Sequence, residues 1–371
     1  MSSASILQTA VKPAAAPKAK RSLVGRLLVA VAVLFLALFI VLPVANVFTQ
    51  ALANGFAAYW HVFFPPPPGP ATHLTFFEKH RLLAATDQAE RTWSAIRMSC
   101  GVAAIVVPLN IVFGLAAAWA ITKFRFRGRV LLLSLIDLPF SISPVIAGLI
   151  FVLWFGRGGI FGDWGTNVTW PDPTSLTWQG FSGHWWPFTF ANSYTGIIFT
   201  PLAIVIATAF VTFPFVARSL IPLMDTQGSD EELAALSLGA SGWRTFWKVT
   251  VPNIRWGLLY GAILCTARTF GEFGAVSVVS GHIDSNDTIP LRVEKLWDGY
   301  NMQGAFAVST LLALLAVVTL VIKAAVEFKT KQAEAAATAA SAVNEVKLDE
   351  HRSSSDQQEL RLVPSAEGRE P

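Results

Sequence analysis

The chain has 371 residues, of which 53% are hydrophobic and 14% are charged, a balance typical of membrane proteins rather than soluble domains. The net charge of +4 is small and the basic residues cluster beside apolar segments, so nucleic-acid binding is not indicated. Cys100 and Cys265, the two cysteines, lie in apolar segments outside any CxxC or Cys/His pattern, and the six histidines are scattered. Neither a structural disulfide nor a metal site is therefore expected.

The N-terminal segment predicts a tail followed by a membrane anchor. Residues 1–22 are rich in Ala, Pro, Ser and Lys and are interpreted as a disordered cytoplasmic arm. An uncharged apolar run then extends from Leu27 to Val47. A signal peptide is the alternative, because Ala51-Leu52-Ala53 resembles a cleavage site. The run is longer than a usual signal core and can span a bilayer, which favours an uncleaved anchor.

Two further spans are predicted after a polar loop at 50–91, which contains four consecutive prolines. The second span, about 96–121, includes Asn110, which needs a polar partner inside the bundle. The third span, about 130–155, contains the string IDLPFSISPVIAG. There two prolines interrupt the helix beside Asp137, Ser141 and Ser143, which is typical of a segment that lines a path. A kinked structural helix with Asp137 near the interface is the alternative.

The remaining segments complete an all-α, polytopic fold with six transmembrane helices. A Trp-rich loop at 156–194 precedes a fourth span at about 195–216, a fifth at 256–279 and a sixth at 304–326. The transmembrane domain is placed at 23–330 with a loop at 217–255, and the tail at 331–371 is interpreted as largely disordered. Basic residues concentrate in the arm, the 123–129 and 217–255 loops and the tail start, which predicts both termini in the cytoplasm.

The fifth span carries two charges at helical spacing. Arg268 and Glu272 are four residues apart and can form an ion pair. Gly271 and Gly274 allow close helix approach or local unwinding, and Ser277 adds a hydroxyl. Because charges at this depth are costly unless they are paired or face water, the group either lines the translocation path or braces two helices.

The loop between the fourth and fifth spans contains a short amphipathic element, residues 230–252. Asp230, Glu231 and Glu232 begin it, where a helix N-terminus favours acids. Gly239 separates two short helical patterns and Pro252 ends the second. The pattern predicts a helix–Gly–helix element that lies on the membrane surface, which suits insertion into a groove of a partner protein. A surface-lying amphipathic loop with no docking role is the alternative.

No catalytic motif is present in the sequence. The chain contains no Gly-Lys pair, and therefore no G-x-x-x-x-G-K-[ST] loop for nucleotide phosphates. It also lacks G-x-S-x-G and H-E-x-x-H. No enzyme active site is therefore visible, and if the process is energy-driven, a partner chain must bind and hydrolyse the nucleotide, with ATP and Mg on that chain.

The loop resembles the Glu-Ala-Ala loop of the membrane subunits of ATP-binding-cassette importers. Ala234, Ala235, Gly239 and Pro252 match that pattern, and Ala240 follows its glycine. Leu233 stands where the family has glutamate. The resemblance implies that this loop contacts an ATPase, with Glu231 and Glu232 as substitutes for the missing acid.

Longer strings are similar to CysW-type sulfate/thiosulfate permease subunits over roughly 93–305, notably GEFGAVSVVSG in the fifth span and TFPFVARSLIPLM after the fourth. The resemblance implies a type I, molybdate/sulfate-like permease fold in a bacterial inner membrane. It also implies a CysT-type second permease, two copies of a CysA-type ATPase and a periplasmic sulfate/thiosulfate-binding protein. A homodimeric molybdate or tungstate permease and an ion-coupled secondary transporter are the alternatives.

Overall fold

A computed structural model describes residues 23–66, 76–156, 159–161 and 197–328. The predicted arm at 1–22, most of the Trp-rich loop and the predicted tail at 331–371 lie outside these residues. The described secondary structure is entirely helical. The α-helices are α1 (Leu23–Ala51), α2 (Phe56–Phe63), α3 (Phe76–Lys123), α4 (Arg129–Ser141), α5 (Pro144–Phe155), α6 (Pro201–Gln227), α7 (Asp230–Ser237), α8 (Gly242–Thr245), α9 (Val251–Phe270), α10 (Gly274–Val279), α11 (Ile289–Asp298) and α12 (Met302–Phe328).

Four of the described helices, α1, α3, α6 and α12, are long and apolar enough to cross a membrane. The pair α4 and α5 would add a fifth crossing, although the two helices are bent by 108° where they meet. This count does not reach the predicted six, because the predicted fifth span, which is divided between α9 and α10, is not among the candidate spans. α9 ends at Phe270 and α10 begins at Gly274, so the glycines unwind the helix as the sequence indicated.

The prediction of a polar loop at 50–91 is wrong for residues 56–63 and 76–91, which are helical. The aromatic side chains of α2 pack against α12, with Phe63 and Val308 in one buried cluster. The 48 residues of α3 correspond to about 72 Å of helix, longer than the ~40–45 Å of a whole bilayer. Its polar first part therefore projects beyond the apolar span, and an Asp87–Arg91 pair of 2.9 Å stabilises it.

The bundle core joins α3, α6 and α10 through small and β-branched side chains, among them the fully buried Val106, Ala207 and Ala275. A buried polar contact also links three helices. Asn110 of α3 donates through Nδ2 to Thr212 Oγ1 of α6 at 2.7 Å and to Cys265 Sγ of α9 at 3.5 Å. The prediction that Asn110 finds a partner inside the bundle is confirmed.

At one end of the bundle, charged side chains hold α11 to the turn before it and to α3. Lys295 Nζ lies 2.8 Å from both Asp284 Oδ1 and Asp287 Oδ1. Arg292 donates through Nη2 to the carbonyl oxygen of Gln88 at 3.1 Å. The buried side chains of α11 are Ile289, Leu291, Arg292 and Leu296. α11 therefore covers its apolar face within its own chain.

Candidate functional site

The opposite end of the bundle carries a surface element, residues 228–250, made of α7, a turn, α8 and a π-helical turn at Phe246–Thr250. Residues 217–227 belong to α6 and 251–255 to α9, so the element is shorter than the loop assigned from sequence. The apolar pattern of α6 continues beyond Val216, and Leu220 and Met224 are buried. The predicted helix–Gly–helix arrangement is confirmed.

A Schellman turn joins α7 to α8. Gly239 N donates to Leu236 O at 3.0 Å, and Ala240 N donates to Ala235 O at 3.0 Å, the pair of bonds that defines this motif. Gly239 has φ of 86°, a left-handed conformation that residues with a Cβ adopt at a cost. The direction of the chain after α7 therefore depends on a glycine at this position.

The outward side of the surface element is apolar. Leu238 and Trp243 are 88% and 73% exposed, and Leu233 and Trp247 are also exposed. We call these four side chains the outer apolar face. The Trp243 and Trp247 rings pack edge to face at 5.7 Å. Exposed aromatic and aliphatic side chains grouped in this way mark contact surfaces for another protein or for a membrane.

The inward side of the element is polar. Glu232 lies with Oε2 2.8 Å from Lys123 Nζ and accepts through Oε1 from Thr250 Oγ1 at 2.7 Å. Glu231 accepts from Asn253 Nδ2. We call these five residues the inner polar cluster. The two glutamates predicted to contact an ATPase therefore direct their carboxylates toward the bundle. Ala234 lies exposed on α7 and Pro252 lies in the first turn of α9.

A second group of predicted residues lies where two helices break. The α4–α5 break falls at Ile142–Ser143, with Pro144 in the first turn of α5. Ser141 Oγ donates to Asp137 O, four residues earlier in α4, at 3.3 Å. Ser143 is the N-cap residue of α5, although its side chain makes no capping hydrogen bond.

The α9–α10 break packs against the α4–α5 break. A Cβ built on Gly148 of α5 would lie 2.8 Å from Ala275 O, and one on Gly274 would lie 3.0 Å from Pro144 Cβ. Both distances are shorter than van der Waals contact. The two glycines therefore permit this close approach, which the sequence predicted for Gly274.

The predicted Arg268–Glu272 ion pair is confirmed. Arg268 Nη2 lies 2.8 Å from Glu272 Oε2, with side-chain exposures of 36% and 1%. Glu272 also accepts through Oε1 from Ala275 N at 3.1 Å, and Ser277 Oγ donates to Gly274 O at 3.0 Å. Gly271 ends α9 as its C-cap residue. The carboxylate is buried in the break while the guanidinium reaches its surface.

Asp137 pairs with a residue that sequence reasoning placed in the loop. Arg218 of α6 donates through Nε to Asp137 Oδ1 at 2.7 Å, and its guanidinium lies 4.7 Å from the Phe140 ring centroid. Arg218 lies nine residues before the end of α6 and Asp137 eight residues after the start of α4, about 12 to 14 Å along each helix. Both side chains are about half exposed, on a face that lipid alone would not accommodate.

Lys123, Thr250 and Asn253 were also missed by sequence reasoning. Lys123 lies 109 residues before Glu232 in the chain, and no local pattern connects the two. The only sequence signal is a lysine at the end of an apolar span. Within the described residues, no group of three or more His, Cys, Asp or Glu side chains is placed to hold a metal ion.

Comparison with known proteins agrees with this architecture. Residues 110–332 match the family described as "Binding-protein-dependent transport system inner membrane component". The sulfate transport system permease protein CysW of Synechocystis sp. is 42% identical over 305 residues, covering 82% of this chain and 93% of that protein. CysT of Escherichia coli is 31% identical over 250 residues, covering 67% and 73%.

A crystal structure of a bacterial alginate ABC transporter, in complex with a periplasmic protein bound to an alginate pentasaccharide, has the same fold. Its matching chain is 14% identical, the TM-score is 0.58, and the match covers 82% of this chain and 93% of that chain. At this identity the likeness concerns the fold alone. The sequence matches are stronger, and by them the chain belongs to the binding-protein-dependent transport system inner membrane component family, in its CysW-type permease branch.

Proposed function

We propose that this chain is a transmembrane subunit of an ATP-driven sulfate or thiosulfate importer and that its surface element docks on a separate ATPase. The surface element carries the proposal, because its outer apolar face is exposed while no residue of α7 is buried. A helix of eight residues is not stable alone in water. An apolar groove on a partner would bury Leu238 and Trp243.

The substrate class follows from the relatives. The chain covers nearly the whole CysW protein of Synechocystis sp., a sulfate transport system permease, and is less similar to CysT. A CysT-type second permease, two CysA-type ATPases with ATP and Mg, and a periplasmic sulfate/thiosulfate-binding protein would complete the importer. The surface element would then face the cytoplasm, and both termini would lie on that side. α9 with α10 would bring the number of crossings to six.

The path for the anion is proposed at the two helix breaks. Arg268 and Arg218 present guanidinium groups at the chain's surface, and each is paired with a carboxylate. A paired arginine can attract a divalent oxyanion without trapping it, because the neighbouring acid offsets part of its charge. The backbone irregularity at Ser143 and Gly271 is also compatible with a water-lined segment inside the membrane.

Uptake of labelled sulfate in cells that lack the gene, with and without the gene restored, tests this function. Restored uptake that thiosulfate blocks and low molybdate does not is the expected result. Normal sulfate uptake without the gene, with molybdate transport lost, would instead indicate the molybdate permease. Sulfate uptake restored by this chain without any ATPase partner would contradict the ATP-driven mechanism.

A further inference from the structure

The outer apolar face accounts for docking, but it does not explain how movement of the surface element would reach the membrane helices. α7 has no buried residue, so apolar packing does not hold it to the bundle. A cavity of about 360 Å³ lies beneath it, lined by Lys123, Glu231, Glu232, Thr250 and Asn253 among others. Contact between α7 and the membrane helices at this place is therefore made by polar groups around a cavity.

The inner polar cluster connects α7 to the ends of three membrane helices. Lys123 is the last residue of α3, and its ammonium group contacts both Glu232 and the carbonyl oxygen of Gly228, which caps α6. Asn253 lies in the first turn of α9 and donates to Glu231. The carbonyl oxygen of Asn253 in turn accepts from Gln227 Nε2 of α6 at 3.1 Å.

Glu232 is the centre of these contacts, because both of its oxygens are occupied. Lys123 holds Oε2 and the Thr250 hydroxyl holds Oε1. The ion pair is well shielded, with side-chain exposures of 12% for Lys123 and 16% for Glu232. A shielded pair with satisfied hydrogen bonds fixes a geometry much better than a solvated surface pair, since loss of either partner leaves an uncompensated charge.

Resting on the proposed function, we propose that Lys123 and Glu232 are positioning residues that transmit movement of the ATPase-docked α7 to α3, α6 and α9. The two glutamates of the loop would then act inside the chain, and the ATPase contact would be left to apolar side chains. A rigid connection is needed here because α7 can otherwise tilt over the cavity without displacing a membrane helix.

The test uses the whole importer, purified with its second permease and ATPase and reconstituted in vesicles with the binding protein. Three quantities are measured: copurification of the ATPase, ATP hydrolysis, and labelled sulfate taken up per ATP hydrolysed. Lys123→Met should leave copurification unchanged and lower the sulfate taken up per ATP by about tenfold. A residue with a merely structural role would instead alter copurification or the yield of inserted protein, and leave that ratio unchanged.

Further variants test whether the ion pair itself is responsible. Glu232→Gln is isosteric, keeps an acceptor for Thr250 and should lower the ratio in the same direction, which also provides a test if Lys123→Met is poorly inserted. The exchange Lys123→Glu with Glu232→Lys should recover part of the ratio, because the ion pair is restored while the contact of Lys123 with Gly228 O is not. Arg127→Met removes an exposed positive charge four residues beyond Lys123 and should behave like wild type.

Three outcomes would overturn the inference: a wild-type ratio in Lys123→Met and Glu232→Gln, loss of ATPase copurification in both, or no recovery in the exchange variant. Failure of the proposed function has a different signature. Deletion of 232–242 with uptake intact would remove the coupling role altogether. Uptake lost in that deletion but normal in Lys123→Met would leave docking in place and reject only the transmission role.

Discussion

Two short helices, α7 and α11, lie at opposite ends of the bundle and differ in whether their apolar side chains are buried within the chain. α11 buries Ile289, Leu291 and Leu296 against its own chain, and Arg292 joins it to α3 through a hydrogen bond to Gln88 O. α7 buries nothing and exposes its leucines. An amphipathic helix whose apolar side is buried within its own chain needs no partner to cover it. A helix held to its chain only through its polar side leaves its apolar side exposed to another protein.

The largest expected effect comes from the turn at Gly239, which joins α7 to α8. Gly239→Val should abolish sulfate uptake, because a β-branched residue is strained at φ of 86° and the chain after α7 would change direction. Membrane insertion should persist, since a Cβ at Gly239 meets no atom within 4 Å. Uptake and membrane content are measured together. Gly239→Asn is the matched control, because asparagine tolerates this conformation; wild-type uptake in Gly239→Val would contradict the prediction.

The contrast between the two helices also predicts where the ATPase binds. Leu238→Glu should reduce ATPase copurification by about tenfold, since a charge would enter the proposed apolar contact at a cost of about 1.4 kcal/mol or more. Trp297→Ala, which changes a half-exposed aromatic residue of α11, should leave copurification unchanged. An equal loss in both variants would show that the outer apolar face has no special role.

Arg268 and Glu272 test whether buried charge at the helix breaks matters beyond packing. Arg268→Met should lower uptake several-fold, because it leaves the buried Glu272 carboxylate without its partner. The double variant Arg268→Met/Glu272→Gln should recover part of that loss, since glutamine is neutral and still accepts from Ala275 N. Uptake is measured at equal membrane content. A double variant no better than Arg268→Met would remove the pairing explanation.

The smallest effect is expected at α11, where Lys295 stabilises a buried acid. Burial raises the pKa of Asp287, and Lys295 opposes that rise. A raised pKa means that folding favours the protonated acid, so this contribution to stability is present at low pH and is lost as pH rises through the folded-state pKa. Lys295→Met should lower the melting temperature by roughly 5 °C near neutral pH.

The Lys295→Met defect should be larger at about pH 8 than at about pH 5.5, because protonation removes the unpaired charge at low pH. Lys295→Met/Asp287→Asn is the matched control, and its melting temperature should vary less between the two conditions. A defect of equal size at both pH values would show that packing, not the charge of Asp287, is lost.

The residues at the helix breaks could largely be predicted from the sequence. Two prolines near Ser141 and the glycines around Glu272 are local signals, because both residue types weaken the helical backbone and allow it to break there. The prediction of a polar loop at 50–91 was wrong for the opposite reason. Its helices depend on distant partners, since α2 is stabilised by packing on α12 and the polar first part of α3 is part of a helix that continues into the span.

The sequence by itself determined the membrane character, the helix–Gly–helix element, the Arg268–Glu272 pair and the absence of a P-loop. All of these rest on composition or on contacts within a few residues, where spacing defines geometry. Only the tertiary structure decided that Glu231 and Glu232 point inward to Asn253 and Lys123, and that Asp137 meets Arg218. These contacts join residues far apart in the chain, and helix packing alone brings such residues together.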